Sequence, residues 1–254
     1  MSARALSFGA VAGAYERFRP GYPDELLDLV MTYAGRPMGS ALEIGAGTGK
    51  ATRLFAAHGI AVTATEPDPA MLAELVKSVP QKVRTVRAAF EDLRLDETHG
   101  LVYAAAALHW TRPEGRWPRV AALLEPEGVF ASFGGAVRLA DPAVEESVRA
   151  ARAPFLDDDD IPSPDGTAPD EEVQWPGTEL QRSPLFTDVR QTVIERRLRM
   201  SAPDYLGHLS TVSAYLQLAP EKRELTYAVI GRVLPGMVEI NADIVVHLAR
   251  RHPG

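Results

Sequence analysis

The chain has 254 residues, a formal net charge of −7 and 46% hydrophobic residues, a composition typical of a globular protein with one large core. This acidic balance counts against a nucleic-acid groove, which needs a basic face. The sequence contains no cysteine, which excludes disulfides and cysteine-bound zinc and fits a reducing cytoplasm. The longest apolar run, Leu101 to Leu108, is far too short to cross a bilayer. We therefore expect a cytoplasmic protein that binds neither nucleic acid nor membrane.

The first 40 residues predict two short helices. Residues Phe8 to Arg19 have helical character and end at the turn Pro20-Gly21-Tyr22-Pro23. Asp24 then begins a second helix that runs to about Tyr33, with leucine and valine residues at helical spacing on one face.

The next segment, Ala41 to Thr52, predicts a buried strand, a glycine-rich turn and a helix. Backbone can approach a ligand closely at such a turn because glycine has no Cβ, and the amides of the following helix point to the same place. A phosphate-binding loop would need a first glycine where Ile44 stands and a hydroxyl where Ala51 stands. A dinucleotide-binding turn would need its third glycine where Lys50 stands.

The remaining pattern is Glu-x-Gly-x-Gly-x-Gly, formed by Glu43, Gly45, Gly47 and Gly49. It resembles motif I of the class I methyltransferases that depend on S-adenosylmethionine (SAM). The resemblance implies that the glycines, with Ala46 between them, pass under the methionine part of SAM, and that Glu43 contacts its ammonium group. A tight strand-to-helix turn without a ligand is the alternative.

A second acid supports this resemblance. Glu66 follows a predicted strand over residues 60–65 and lies 23 residues after Glu43. A carboxylate at the end of the second strand can accept hydrogen bonds from both ribose hydroxyls, as in other doubly wound folds. Asp68 is expected to cap the next helix, with Pro69 at its first position.

The resemblance also implies residues on the adenine side of the cofactor. Pro67 and Met71 follow Glu66 closely, and Met71 is alternatively part of a helix core. The family often has an aspartate on the adenine amino group where Ala89 stands here. We expect Phe90 and Glu91 to replace that contact.

The fourth predicted strand leads into Ala106-Ala107-Leu108-His109-Trp110, which resembles small-molecule methyltransferases of the trans-aconitate and UbiE-like types. Because ligands bind at the carboxyl ends of parallel strands, Ala106 and His109 are expected beside the cofactor and Trp110 beside the substrate. His109 is a candidate general base, since a histidine pKa near ~6.5 suits proton transfer at neutral pH. The alternative is that His109 shapes the pocket without accepting a proton.

Upstream, Tyr15-x3-Arg19-Pro20-x-Tyr22-Pro23 resembles the N-terminal lid of many small-molecule methyltransferases. The resemblance implies that Tyr15 and Arg19 contact SAM and that Tyr22 contacts the substrate. Packing of these aromatic rings on the core is the alternative.

The C-terminal half carries weaker signals. Leu156 to Pro176 predicts a loop or linker, and its aspartate run, Asp157–Asp160, is interpreted as solvated rather than as a metal site. Val189 to Arg199 alternates as one strand and Ile244 to Leu248 predicts the last strand. Helices are expected at Pro203–Leu209 and Pro220–Leu234. The candidates for a substrate wall, or alternatively for packing between helices, are Tyr205, His208, Ser213 and Tyr215, and we assign Tyr215 to the substrate.

The resemblance implies an α/β fold: a three-layer sandwich around a seven-stranded, mostly parallel Rossmann-like sheet with an antiparallel last strand and a helical cap. We expect one domain with N-terminal lid helices (1–40), a SAM-binding core (41–140), a segment with a linker, strand six and cap helices (141–235), and a final core strand (236–254). No metal is expected.

The predicted reaction is methyl transfer from SAM to an oxygen nucleophile of a small molecule, a hydroxyl or a carboxylate, which leaves S-adenosylhomocysteine. Transfer to a nitrogen or carbon atom of a metabolite, or to a peptide or protein, is the alternative, and a SAM-binding protein without catalysis is a third. A nicotinamide oxidoreductase is disfavoured because the Tyr-x3-Lys pair is missing and the glycine spacing is wrong. A monomer or homodimer is expected.

Overall fold

A computed structural model describes residues 7–94, 96–159, 162–168 and 171–253. The helices are α1 (Ala12–Phe18), α2 (Asp24–Ala34), α3 (Lys50–Ala57), α4 (Pro69–Ser78), α5 (Arg116–Leu123), α6 (Pro142–Arg152), α7 (Gly177–Arg182), α8 (Ala202–Leu209), α9 (Ser213–Leu216) and α10 (Pro220–Val233). The strands are β1 (Ser40–Ile44), β2 (Ala61–Thr65), β3 (Arg84–Val86), β4 (His99–Ala105), β5 (Leu124–Gly134), β6 (Arg138–Leu139), β7 (Phe186–Ile194), β8 (Arg197–Ser201), β9 (Met237–Asn241) and β10 (Ile244–Arg251). Short 3₁₀ turns lie at Ser7–Val11, Phe90–Asp92 and Leu108–Trp110.

The main sheet has seven strands in the order β3-β2-β1-β4-β5-β10-β7. Strands β1 to β5 pair in parallel, and β10 pairs antiparallel with both β5 and β7. The predicted fold class is thereby confirmed. Chain order reverses between β1 and β4, and ligands of such sheets bind in the crevice that this reversal opens at the carboxyl ends of the strands.

The central strands are buried on both faces, as parallel strands between two helix layers must be. Along β4, Leu101 and Tyr103 join the core cluster that contains α2 and α3 residues. Val102 and Ala104 alternate with them and join the opposite cluster, which contains α5 and α7 residues. This alternation explains why the strand is apolar at every position rather than at every second one.

A second, antiparallel sheet of three strands, in the order β6-β9-β8, was not predicted. Each of its strands is the neighbour in sequence of a main-sheet strand: β5 leads into β6, β7 into β8, and β9 into β10. Residues of α6, α8 and α10 pack on this sheet in a third apolar cluster. We call the second sheet with these helices the cap.

The predicted single strand at Val189–Arg199 is wrong. The chain leaves the main sheet after Ile194 and enters the cap sheet at Arg197. At the break the backbone N–H of Arg196 donates to Asp243 Oδ1 at 2.7 Å, and the carbonyl of Arg196 accepts from the N–H of Ala242 at 2.8 Å. Alternation of polar and apolar residues continues across the break, so periodicity alone did not reveal it.

The aspartate run is partly structural. Asp159 pairs with Arg152 at 2.5 Å and with Arg138 at 3.3 Å, which fixes this part of the loop to the cap, while Asp160 lies outside the described residues. In the described part of the chain, no three potential ligand side chains come together around a metal-sized site. Among the same residues, no helix has both the length and the apolar surface that a membrane crossing requires.

Gly135, between β5 and β6, gives a test of the connection between sheet and cap. An added Cβ would press on the carbonyl oxygen of Asp243, so we expect Gly135→Ala to lower the free energy of unfolding by roughly 1–3 kcal/mol through overpacking. Gly13→Ala is the matched control, because an added Cβ in α1 meets nothing within 4 Å and alanine favours the helix. Urea unfolding measures both, and an unchanged midpoint for Gly135→Ala would contradict this packing.

Candidate functional site

A cavity of about 480 Å³ lies at the carboxyl edge of the main sheet, beside a smaller cavity of about 90 Å³. The predicted site residues that line the larger cavity are Tyr15, Arg19, Gly45, Gly47, Glu66, Pro67, Met71, Phe90, Glu91, Ala106, His109 and Trp110. Those that line only the smaller cavity are Tyr22, Glu43 and Ala46. Residues distant in sequence thus meet at the crevice between β1 and β4.

The glycine turn bends the chain from β1 into α3. Gly45 has φ +64° and Gly47 has φ +58°, in the left-handed region that residues with a Cβ rarely adopt. Gly49 also has a positive φ, but it does not line either cavity, and an added Cβ there would meet the side chains of Leu75 and Val79. The absence of a side chain at Gly49 thus allows the start of α3 to pack against α4.

Glu43 lies at the end of β1 and is fully buried. Its Oε2 accepts hydrogen bonds from the Thr52 hydroxyl at 2.5 Å and the Tyr103 hydroxyl at 2.9 Å. Its Oε1 has no hydrogen-bond partner among the residues that the structure describes. Burial raises the pKa of Glu43 to about 8, although the two hydrogen bonds oppose the shift. Native proteins rarely leave such an atom unsatisfied, so this oxygen is suited to a cationic ligand group in the smaller cavity.

Glu66 holds the glycine turn from the end of β2. Its Oε2 accepts from the backbone N–H of Gly47 and its Oε1 from that of Asp68, both at 2.9 Å. A carboxylate has about four lone-pair positions, so each oxygen can still accept a hydrogen bond from a ligand hydroxyl. Burial raises the pKa of Glu66 to about 7.

The start of α4 confirms the predicted cap. The Asp68 carboxylate accepts from the backbone N–H groups of Ala70 at 2.8 Å and Met71 at 3.0 Å. Met71 is thereby fixed on the first turn of α4, on the wall of the larger cavity.

The N-terminal segment covers the cavity. The ring of Phe8 lies edge-on to those of Tyr15 and Trp110, each with centroids 5.9 Å away. Glu16 attaches α1 to α3: its backbone carbonyl accepts from Lys50 Nζ at 2.6 Å, and its carboxylate pairs with Arg53 at 2.8 Å. This segment covers the end of the crevice that lies beside α3.

Arg19 joins that segment to the cap. Its Nε donates to the hydroxyl of Thr211 and one of its terminal nitrogens donates to the carbonyl of Thr211, both at 2.8 Å. The sequence assigned Arg19 to SAM, whereas much of its guanidinium is occupied by this buried threonine. This contact between Arg19 and Thr211 was not predicted, because a threonine between two short helices carries no motif.

Ala106 ends β4 and lines both cavities. Its φ of +51° is unusual for a residue with a side chain and is typical of strained functional positions. A Cβ added to Gly134 would lie 3.1 Å from the Ala106 Cβ, so the glycine on β5 makes room for this conformation. His109 follows in the 3₁₀ turn, with its ring centroid 4.4 Å from that of Trp110.

Tyr215 does not lie at the site. It is fully buried in the cap, where its hydroxyl accepts from Arg152 at 3.4 Å and its ring stacks on Tyr227 with centroids 5.8 Å apart. Packing of the cap explains this tyrosine, and it reaches neither cavity.

One wall of the larger cavity was largely missed from the sequence. It comes from β6, the loop before α7, α8 and β10, and the polar residues on it include Arg138, Asp159, Trp175, His208, Ser213 and His247. His208 and Ser213 were candidates on general grounds, and the others lacked any signal because they are scattered over more than 100 residues of the chain.

Comparison with known proteins shows which families the sequence of this site resembles. Residues 42–132 match the family model described as a methyltransferase domain. A Mycobacterium bovis protein named an uncharacterized methyltransferase is 42% identical over 125 residues, which cover 49% of this chain and 50% of that protein. A Saccharomyces cerevisiae protein named a probable S-adenosylmethionine-dependent methyltransferase is 32% identical over 124 residues, which cover 46% of this chain and 43% of that protein. The chain therefore spans about half the length of the curated relatives it matches.

Among solved structures, one from Anaeromyxobacter dehalogenans, assigned by its name to the type II methyltransferases, superposes with a TM-score of 0.67 at 24% identity. The superposition covers 93% of this chain and all of that one, and it supports the fold. The family match begins in β1 and ends in β5, so the segment that is similar to a methyltransferase domain includes the glycine turn and both acids of the crevice.

Proposed function

We propose that the protein transfers a methyl group from SAM to an oxygen atom of a small molecule and releases S-adenosylhomocysteine. The observation that carries the proposal is the unsatisfied Glu43 Oε1, buried beside a glycine turn whose amide is held by Glu66. A ligand with an ammonium group and a ribose satisfies both acids, and SAM has both groups.

The residues of the crevice divide between the parts of such a ligand. Glu43 would accept from the ammonium and Glu66 from the ribose hydroxyls, while Met71 and Phe90 offer apolar contacts for a base. Glu91 has one oxygen already bound to the backbone N–H of Arg112 at 2.7 Å, so its second oxygen is the one that would meet the adenine amino group.

The methionine carboxylate needs a cationic partner. Lys50 and Arg196 line the smaller cavity with Glu43. Burial lowers the pKa of both side chains, so a bound anion would stabilise their charged forms. We assign the carboxylate to Arg196, which uses one terminal nitrogen for the Gly21 carbonyl at 2.9 Å, because Lys50 is engaged by Glu16 and Arg19 by Thr211.

Bound SAM supplies an activated methyl group: the acceptor oxygen bonds to the methyl carbon as the sulfur–carbon bond breaks, which leaves a neutral thioether and, from a hydroxyl, a proton. The protein's main task is to align the acceptor, since positioning contributes up to ~7–11 kcal/mol and a general base only ~10²–10⁴-fold. His109, in the 3₁₀ turn that follows β4, is the candidate to accept the proton. The lid and cap cover the crevice, which favours a small molecule over a protein substrate.

The reaction is tested with purified protein, methyl-labelled SAM and a cell extract. We expect label in the small-molecule fraction and none with protein or RNA. Label retained by protein or RNA would contradict a small-molecule acceptor and indicate a macromolecular one. Bound SAM that stays intact in every extract would support binding without catalysis.

His109→Ala tests the proton acceptor. If the imidazole accepts the proton, turnover should fall by roughly 10²–10⁴-fold while the dissociation constant of SAM stays within a few-fold. Calorimetry and steady-state rates separate the two quantities. Equal losses of SAM affinity and turnover would indicate that His109 shapes the cofactor pocket and does not accept the proton.

Glu43→Gln should stabilise the ligand-free protein at neutral and higher pH. The pKa of Glu43 is about 8 in the folded chain against an ordinary 4.5, so the folded chain keeps a proton that the unfolded chain releases between these values. This group's contribution to stability therefore falls as pH rises through that window. One pKa unit corresponds to about 1.4 kcal/mol. The free energy of unfolding, measured with urea at pH 5 and at pH 8, should therefore fall less between these values for Glu43→Gln than for the unmodified protein.

The same substitution should weaken SAM binding by roughly 1.5–3 kcal/mol, the usual contribution of a hydrogen bond to a charged group. Glu97→Gln, which makes the same charge change at an exposed side chain, is the control. It should alter neither the change in unfolding free energy between pH 5 and pH 8 nor the affinity for SAM. Unchanged SAM affinity in Glu43→Gln would remove Glu43 from the ammonium site.

A further inference from the structure

The half of the larger cavity that faces the cap has features that the cofactor does not explain. The residues assigned to the ammonium, ribose and adenine groups of the cofactor lie at or after the ends of β1, β2 and β3, on one side of the crevice. On the other side, over β5 and β10, the wall carries Trp175 and His208. Strand order therefore separates a cofactor side from an acceptor side.

His208 presents an unsatisfied hydrogen-bond acceptor. The residue is 2% exposed, and its ring makes one hydrogen bond, to the backbone of Phe18. Because Nδ1 has no partner within the described ranges, we assign the ring proton to Nε2 and the lone pair to Nδ1. Burial, and after it the charge of Arg19, lowers the pKa of His208 to about 3, so the ring is neutral.

Trp175 presents the complementary donor. Its indole Nε1–H is buried and has no partner among the described side chains and backbone. The guanidinium of Arg116 lies 5.2 Å from its ring centroid and holds the ring in place. An indole can only donate, so a ligand atom that satisfies it must be an acceptor.

The cations on this wall already have hydrogen-bond or ion-pair partners. Arg138 pairs with Asp159 at 3.3 Å, and Asp159 pairs with Arg152 at 2.5 Å. Arg19 is bound to Thr211. A carboxylate on the acceptor would find these cations engaged, and a desolvated ion without a partner is strongly disfavoured.

Apolar side chains complete the wall, namely those of Leu209, Val212 and Val245. Binding sites of this kind combine an apolar surface with a few polar groups that fix orientation. Among the described residues of this wall, the two buried polar atoms discussed here, Nδ1 of His208 and Nε1 of Trp175, have no hydrogen-bond partner; the first is a neutral acceptor and the second a neutral donor.

We propose that this half of the cavity binds a neutral acceptor molecule with a largely apolar body, whose hydroxyl donates to His208 Nδ1 and whose carbonyl or ether oxygen accepts from Trp175 Nε1–H. This rests on the proposed function, and it selects a hydroxyl over the carboxylate that the sequence left open. His208 orients the hydroxyl, and its low basicity leaves proton removal to another group or to water.

The test is calorimetry on the complex with S-adenosylhomocysteine. Three probes differ at one group each: methyl 3-hydroxybenzoate, its methyl ether methyl 3-methoxybenzoate, and the anion 3-hydroxybenzoate. We expect the first to bind at least tenfold tighter than the other two. Equal binding of the ether, tighter binding of the anion, or no binding of any probe would overturn the assignment.

Two substitutions of His208 form a matched pair. Glutamine places an amide where Nε2 lies and removes the acceptor at Nδ1, whereas asparagine keeps an acceptor near Nδ1 and loses the bond to Phe18. We expect His208→Gln to abolish the preference for the hydroxyl probe and His208→Asn to retain part of it. Trp175→Phe should weaken the binding of methyl 3-hydroxybenzoate and of its methyl ether to the same degree, roughly tenfold. Unchanged probe binding in both His208→Gln and Trp175→Phe would contradict the proposal.

Binding of S-adenosylhomocysteine alone is measured first in each protein. If S-adenosylhomocysteine does not bind to the unmodified protein, the proposed function is contradicted. If it binds and the hydroxyl preference is absent, only the acceptor assignment fails.

Discussion

Burial of the Glu43 carboxyl is the interaction on which the site depends. Its neighbour across the β1–β4 ladder, Tyr103, donates to it, Thr52 donates from α3, and the Thr65 hydroxyl on β2 donates to its backbone carbonyl at 2.7 Å. Three strands and a helix are therefore arranged around one acid. The cost is a carboxyl removed from water with one oxygen unsatisfied, which the fold tolerates because its pKa rises and the group can hold a proton.

The cap is connected to the core by strands that pass from one sheet into the other. Since β5, β7 and β10 each have a cap strand as their neighbour in sequence, the acceptor wall is placed relative to the main sheet by short connections. Arg19 adds a contact from the opposite side, through Thr211. His208 on α8 and Val245 on β10 lie on regular elements, which hold a group more accurately than loops do, whereas Trp175 lies in the loop before α7.

The sequence predicted the half of the site that is local. The glycine turn and Glu66 stand at the ends of consecutive strands, so spacing along the chain is enough to place them. The cap wall was not predictable in this way, because Trp175 and His208 meet only after two sheets have formed. Tyr215 shows the opposite error: a tyrosine between two helices looks like a pocket residue until its burial against Tyr227 is seen. The strand over 189–199 failed because alternation does not report where a chain changes sheets.

The contact between Ala106 and Gly134 has a consequence for how this family of sequences can vary. The space between the ends of β4 and β5 holds a single methyl group, carried at present by residue 106. A methyl group at 134 would lie 3.1 Å from the Ala106 Cβ, so one of the two strand ends would have to shift by a few tenths of an ångström. Because the two positions share this space, we expect that the effects of changes at 106 and 134 do not add, and that alanine at 134 is tolerated best when residue 106 is glycine.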